Sequence, residues 1–88
     1  FDVDEIGNAL AAHPEVTSVH DLHVWEIGAG FPSLSAHVLV EKEADCHAIR
    51  RQLEQTLTDR FAIEHTTLQV DHQGAQAELL QIDRARPA

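Results

Sequence analysis

Four apolar side chains, Ile49, Leu53, Leu57 and Phe61, recur at every fourth position behind Asp45, whereas the segments on either side of them alternate in polarity with a period of two. A fourth-residue stripe lines one face of a helix and alternation lines one face of a strand, so this helix has to lie across a sheet. Asp45 supplies the acceptor for an N-cap, and the helix is expected to run to Phe61, with Cys46 extending the stripe and buried. Upstream, residues 1–13 carry Val3, Ile6, Leu10 and Ala11 at helical spacing. Asp2 or Asp4 is available as their N-cap, and His13-Pro14 is a stop signal.

Residues 16–27 are β-branched and alternating, residues 28–33 have turn chemistry, and residues 34–41 alternate again, which together predict a β-hairpin. In its second strand Leu34, Ala36, Val38 and Val40 share one face and leave Ser35, His37 and Glu41 on the other beside Leu39. His37 is therefore expected to point away from the helices. A last strand over residues 63–72 places Thr66, Leu68 and Val70 on one face and His65, Thr67, Gln69 and Asp71 on the other. The order helix, strand, strand, helix, strand predicts an α+β fold of truncated ferredoxin-like type, α-β-β-α-β, with a three-stranded sheet and two helices on one face. The opposite face has no cover, and a second copy of the chain is the expected one. The domain spans residues 1–72. Residues 73–88 form a tail with a short helical hint at 77–82 and a basic, proline-ended terminus expected to fray.

A chain of 88 residues builds one thin core and leaves much of its surface exposed, so a partner subunit or a bound metal would add needed stability. With 15 acidic against 6 basic residues its formal charge is −9, which disfavours nucleic acid and anionic lipid and favours cations. The single Cys46 excludes an internal disulfide and fits a reducing, cytosolic compartment. No apolar run reaches the roughly 20 residues of a membrane-spanning helix. No signal peptide is evident. The first residue, Phe1, is not a methionine, as expected of a fragment of a longer protein that could contain a membrane part.

Chemistry concentrates on the β-patterned segments. His20-Asp21-Leu22-His23-Val24-Trp25 combines two imidazoles, a carboxylate and the only tryptophan, and His37, His65 and Asp71 stand on the other two strands. Ligands on separate strands can converge on one metal ion. The plain alternative is that histidines on the surface of an acidic protein are simply solvated. Asp21 and His23 either orient a ligand imidazole or are ordinary strand-surface residues. Trp25 reads as a packing anchor at an interface, and His13, placed where a helix stops, carries no ligand expectation. Cys46 and His47 are adjacent on a helix and point in different directions, so they do not form a nucleophile–base pair; a zinc thiolate is the alternative to a core role for Cys46. Arg50 and Arg51 lie among Glu54 and Asp59 and read as a solvated, ion-paired face. No Ser-His-Asp order, phosphate-binding glycine loop or pair of catalytic acids is present, and the chain is read as no enzyme.

The residues Val16-Thr17-Ser18-Val19-His20-Asp21-Leu22-His23-Val24-Trp25, Leu34-Ser35-Ala36-His37-Val38, Arg51-Gln52-Leu53 with Arg60-Phe61, and Ile63-Glu64-His65-Thr66-Thr67-Leu68-Gln69-Val70 together resemble the cytoplasmic C-terminal domain of cation diffusion facilitator transporters. The resemblance spans residues 1–72. It implies a homodimeric regulatory domain at the cytoplasmic face of the inner membrane, attached to a transmembrane domain that exchanges divalent cations for protons. It also implies a zinc site near the dimer interface, whose family positions fall on His20, His37, His47 and Asp71, while the third-strand histidine of some members falls on Gln69. An amide is a poor zinc ligand, so that position is lost, shifted to His65 or His72, or completed by water. Four such donors satisfy zinc in type and number, and cobalt, cadmium, nickel or copper would fit the same donors. The competing reading is a purely structural dimerisation module whose histidines are incidental.

Overall fold

The computed structural model describes residues 2–28 and 30–73, and the tail together with its helical hint at 77–82 lies outside them. Helix α1 spans Val3–Ala11, with the Asp2 side chain accepting from the Glu5 amide at 3.2 Å. Strands β1, Val16–Glu26, and β2, Pro32–Val40, form the hairpin; α2 spans Cys46–Phe61 and β3 His65–His72. The fold is α-β-β-α-β, a truncated ferredoxin-like sandwich whose sheet runs in the order β1-β2-β3. β1 and β2 are antiparallel, as a tight turn permits, and β2 and β3 are parallel, which requires the crossover that α2 provides.

The core lies between the sheet and the two helices. Ile6 and Leu10 of α1, Ile49, Leu53 and Leu57 of α2, and Leu34, Ala36, Val38, Val40 and Leu68 of the sheet are all buried. The fourth-residue stripe of α2 is thus the helix face that meets the alternating face of β2. Phe61 closes that stripe only half-buried, and Cys46, expected inside, is also half-buried against the core because it opens the helix at its exposed first turn. Ile63, immediately after α2, is fully buried; its amide donates to the Leu57 carbonyl at 3.1 Å, folding the chain back under the helix end.

Two elements differ from the sequence expectation in ways that matter. Pro32 and Ser33 belong to β2 rather than to the turn, since proline is tolerated as the first residue of a strand, and Ser33 is buried between its neighbours Trp25 and His65 on the flanking strands. In β1 the alternation is broken: His20 pairs with His37 and His23 with Ser35, so β1 carries one residue more than β2 between those pairs. Asp21, at φ 53°, occupies this bulge. The extra residue shifts the parity of the strand. Val19, Leu22 and Val24 all pack on the core, while His20, His23 and Trp25 share the outer face. Gly7 accommodates this at α1, where an added Cβ would stand 3.3 Å from Leu22 Cδ2.

Candidate metal centre

The outer face of the sheet is a grid set by strand register. His20, His37 and Gln69 form one row; His23, Ser35 and Thr67 the next; Trp25, Ser33 and His65 the last; Asp71 stands beside Leu39 at the opposite end. The bulge at Asp21 is what keeps His20 and His23 on one face, since without it one of them would turn into the core. A shallow depression between the rows is lined by Asp21, His23, His37, Thr67 and Gln69.

Within the grid, His37 and Asp71 are joined. His37 Nε2 lies 3.0 Å from Asp71 Oδ2, with the two side chains 19% and 28% exposed. A carboxylate only accepts, so Nε2 carries the proton. The same Oδ2 accepts from Gln69 Nε2 at 3.0 Å. Gln69 thus supports Asp71 through its amide nitrogen, a contact visible in the sequence only as a two-residue spacing on one strand face. The His20 ring centroid is 6.4 Å from that of His37, and His20 Nε2 is 3.1 Å from Ser18 Oγ.

The remaining histidines separate cleanly. His47 is exposed in the first turn of α2, on the helix layer, and forms no cluster with the other proposed ligands among the described residues. His72 follows Asp71 on β3 and so faces the opposite side of the sheet, where Nε2 donates to the Ala44 carbonyl at 2.7 Å. His65 lies at the far end of the grid, beside Trp25 and Ser33. His13 is a structural link: Nδ1 accepts from the Glu15 amide at 3.1 Å, so Nε2 bears the proton and donates to Gln52 Oε1 at 2.6 Å, tying the end of α1 to α2. Trp25 is 45% exposed, and with Val3, Ile27 and Phe31 it belongs to the large apolar side chains that remain at the surface.

Two ligands of a tetrahedral zinc stand about 3.3 Å apart, close to the spacing of His37 Nε2 and Asp71 Oδ2, but to hold an ion both groups must turn from each other toward a common point and the His37 ring must free Nε2 of its proton. His20, whose Nε2 is engaged with Ser18 Oγ, would have to leave that contact and turn toward His37 to join them. The donor chemistry fits zinc, but among the described residues no three His, Cys, Asp or Glu groups are already set to hold an ion. No described helix is long and apolar enough to cross a membrane.

The sequence matches the family of cation efflux proteins, cytoplasmic domain, over residues 1–73. It is 45% identical over 71 residues to the vacuolar zinc transporter TgZnT of Toxoplasma gondii, covering 81% of this chain and 8% of that protein. It is 35% identical over 89 residues to the metal cation efflux system protein CzcD of Cupriavidus metallidurans, covering 99% of this chain and 28% of that protein. The chain thus spans less than a third of the length of these curated relatives. Among solved structures, the metal-bound C-terminal domain of the CzcD transporter superposes with a TM-score of 0.75 at 35% identity, covering 80% of this chain and 97% of that one.

Proposed function

The chain belongs to the family of cation efflux proteins, as their cytoplasmic domain, and from that premise we propose that it is the metal-sensing dimerisation domain of a divalent cation/proton antiporter. Residues 1–72 form the sensing unit and 73–88 a variable tail. Its partners are a second copy of the chain and the transmembrane domain of the same protein, which holds it at the cytoplasmic face of the membrane. Zinc is the favoured ligand; cobalt, cadmium, nickel and copper suit the same donors, whose order of affinity follows the metal more than the site. The observation that carries this reading is the His37–Asp71 pair at 3.0 Å on a sheet face that none of the described elements covers. The relative that superposes on the chain is described as metal-bound, which supports it.

The proposed ligands are His20, His37, His47 and Asp71. A bound ion supplies a positive centre that offsets part of the chain's negative charge and links the elements bearing its ligands. Ligation through Nε2 requires the His37 ring proton to sit on Nδ1, so the hydrogen bond to Asp71 gives way to the ion; protons compete with metal for imidazole and carboxylate donors in general, so binding is expected to weaken in acid. Asp71, steadied by Gln69, contributes the anionic donor. His47, on the helix layer, enters from the second copy or after a shift of α2, and metal occupancy is thereby tied to the geometry between subunits. Metal favours whichever arrangement it binds better, at most by its differential affinity, and that tighter dimer biases the attached transporter toward efflux.

A second reading has one observation in its favour. The incomplete ligand set among the described residues suits a scaffold that only holds two transporter halves together. Zinc titration of the metal-free chain by calorimetry near pH 7, with sedimentation on the same samples, separates the two. A saturable site on a dimer that loses at least tenfold in affinity in both His37→Ala and Asp71→Ala, about 1.4 kcal/mol or more, is the expected result. A dimer that binds no zinc would leave the scaffold.

A further inference from the structure

The proposed ligands lie on two layers: Asp71 and His37 on the outer sheet face, His47 at the start of α2 on the helix side. The His72 side chain reaches from the end of β3 to the segment before α2. His72 follows Asp71 at the end of β3, and because neighbours on a strand face opposite ways its ring turns toward the helix layer. There Nε2 donates to the Ala44 carbonyl at 2.7 Å, a half-buried contact between residues 28 positions apart. Ala44 immediately precedes Asp45, whose carboxylate caps α2 by accepting from the Ala48 amide at 3.1 Å. His47 is held between these two anchors.

We infer that His72 is a positioning residue, the strut that couples the end of β3 bearing Asp71 to the first turn of α2 bearing His47. This rests on the metal-sensing reading above. A carbonyl has no proton to give, so the bond fixes the ring as its Nε2–H tautomer and the strut exists without metal. A movement of β3 as Asp71 takes up an ion is passed through His72 to the segment 44–48, and His47 moves with it. Direct ligation by His72 would instead use Nδ1, on the face of the sheet opposite His37 and Asp71. The contact does not require an imidazole: an amide of similar reach can donate to the same carbonyl.

That difference sets the test. Zinc affinity of the dimeric chain is measured for His72→Ala, His72→Gln, His47→Ala and the double variant of His72→Ala with His47→Ala, together with amide hydrogen exchange of residues 46–49 in metal-free protein. Outer groups that orient metal ligands are typically worth 10- to 100-fold in affinity. His72→Ala is expected to lose about tenfold and to speed exchange in the first turn of α2, His72→Gln to recover most of both, and the double variant to lose little more than His47→Ala alone. Equal losses in His72→Gln and His72→Ala would make His72 a ligand and overturn the strut. Additive losses in the double variant, or unchanged exchange in His72→Ala, would also overturn it. A parent chain that binds no zinc would remove the metal reading and the coupling with it, and is distinguished by failing before any variant is compared.

Discussion

Ala62 and Asp21 are the two described non-glycine residues with positive φ, at 56° and 53°, and they reach that conformation for different reasons. Ala62 ends α2 in the left-handed position usually filled by glycine, its amide donating to the Thr58 carbonyl at 3.1 Å. Its methyl group offers no compensation for a cost of about 1–2 kcal/mol. Asp21 sits in the bulge that aligns His20 with His23, and aspartate tolerates the left-handed region better than alanine. Ala62→Gly is therefore expected to stabilise the chain by about 0.5–1 kcal/mol after the added flexibility of the unfolded state is counted, and Asp21→Gly by less. Urea unfolding midpoints at equal slope measure this. A lower midpoint for Ala62→Gly would show that the helix end is not strained.

At the scale of elements, α2 is the member on which the others depend. It is the crossover that makes β2 and β3 parallel, it buries Ile49, Leu53 and Leu57, and its first turn carries His47. Deleting buried leucine atoms costs about 2–5 kcal/mol, comparable to the whole stability of a domain this small, whereas removing an N-cap costs about 1 kcal/mol. Leu53→Ala is expected to leave the chain largely unfolded at 37 °C, as read by circular dichroism. Asp45→Ala keeps the fold with a lower melting temperature. A folded, cooperative Leu53→Ala would mean that the sheet holds together without its helix.

For the whole molecule the decisive quantities are charge and the sheet face that none of the described elements covers. Bringing together two copies that each carry −9 is opposed by repulsion that acts over about 30 Å at 0.01 M salt and about 8 Å at 0.15 M. Dimerisation through the outer face should strengthen over that range and strengthen again with zinc, and the fluorescence of Trp25 should shift to the blue as its exposed ring is covered. Sedimentation and emission spectra follow both; a salt-indifferent monomer would place the interface elsewhere or nowhere. Much of this was legible in the residues alone. The helical and alternating periods, the cap at Asp45 and the outward direction of His37 follow from bond geometry within single elements, whereas the choice of Asp2 over Asp4 as the first cap needed the structure. Periodicity did not reveal the bulge at Asp21, the inclusion of Ser33 in β2, the convergence of His37, Gln69 and Asp71, or the anchoring of His13 to Gln52 and His72 to Ala44. Those depend on strand register and on contacts between residues far apart in the chain, where one extra residue reverses which face a side chain occupies, and only the packed tertiary structure decides that.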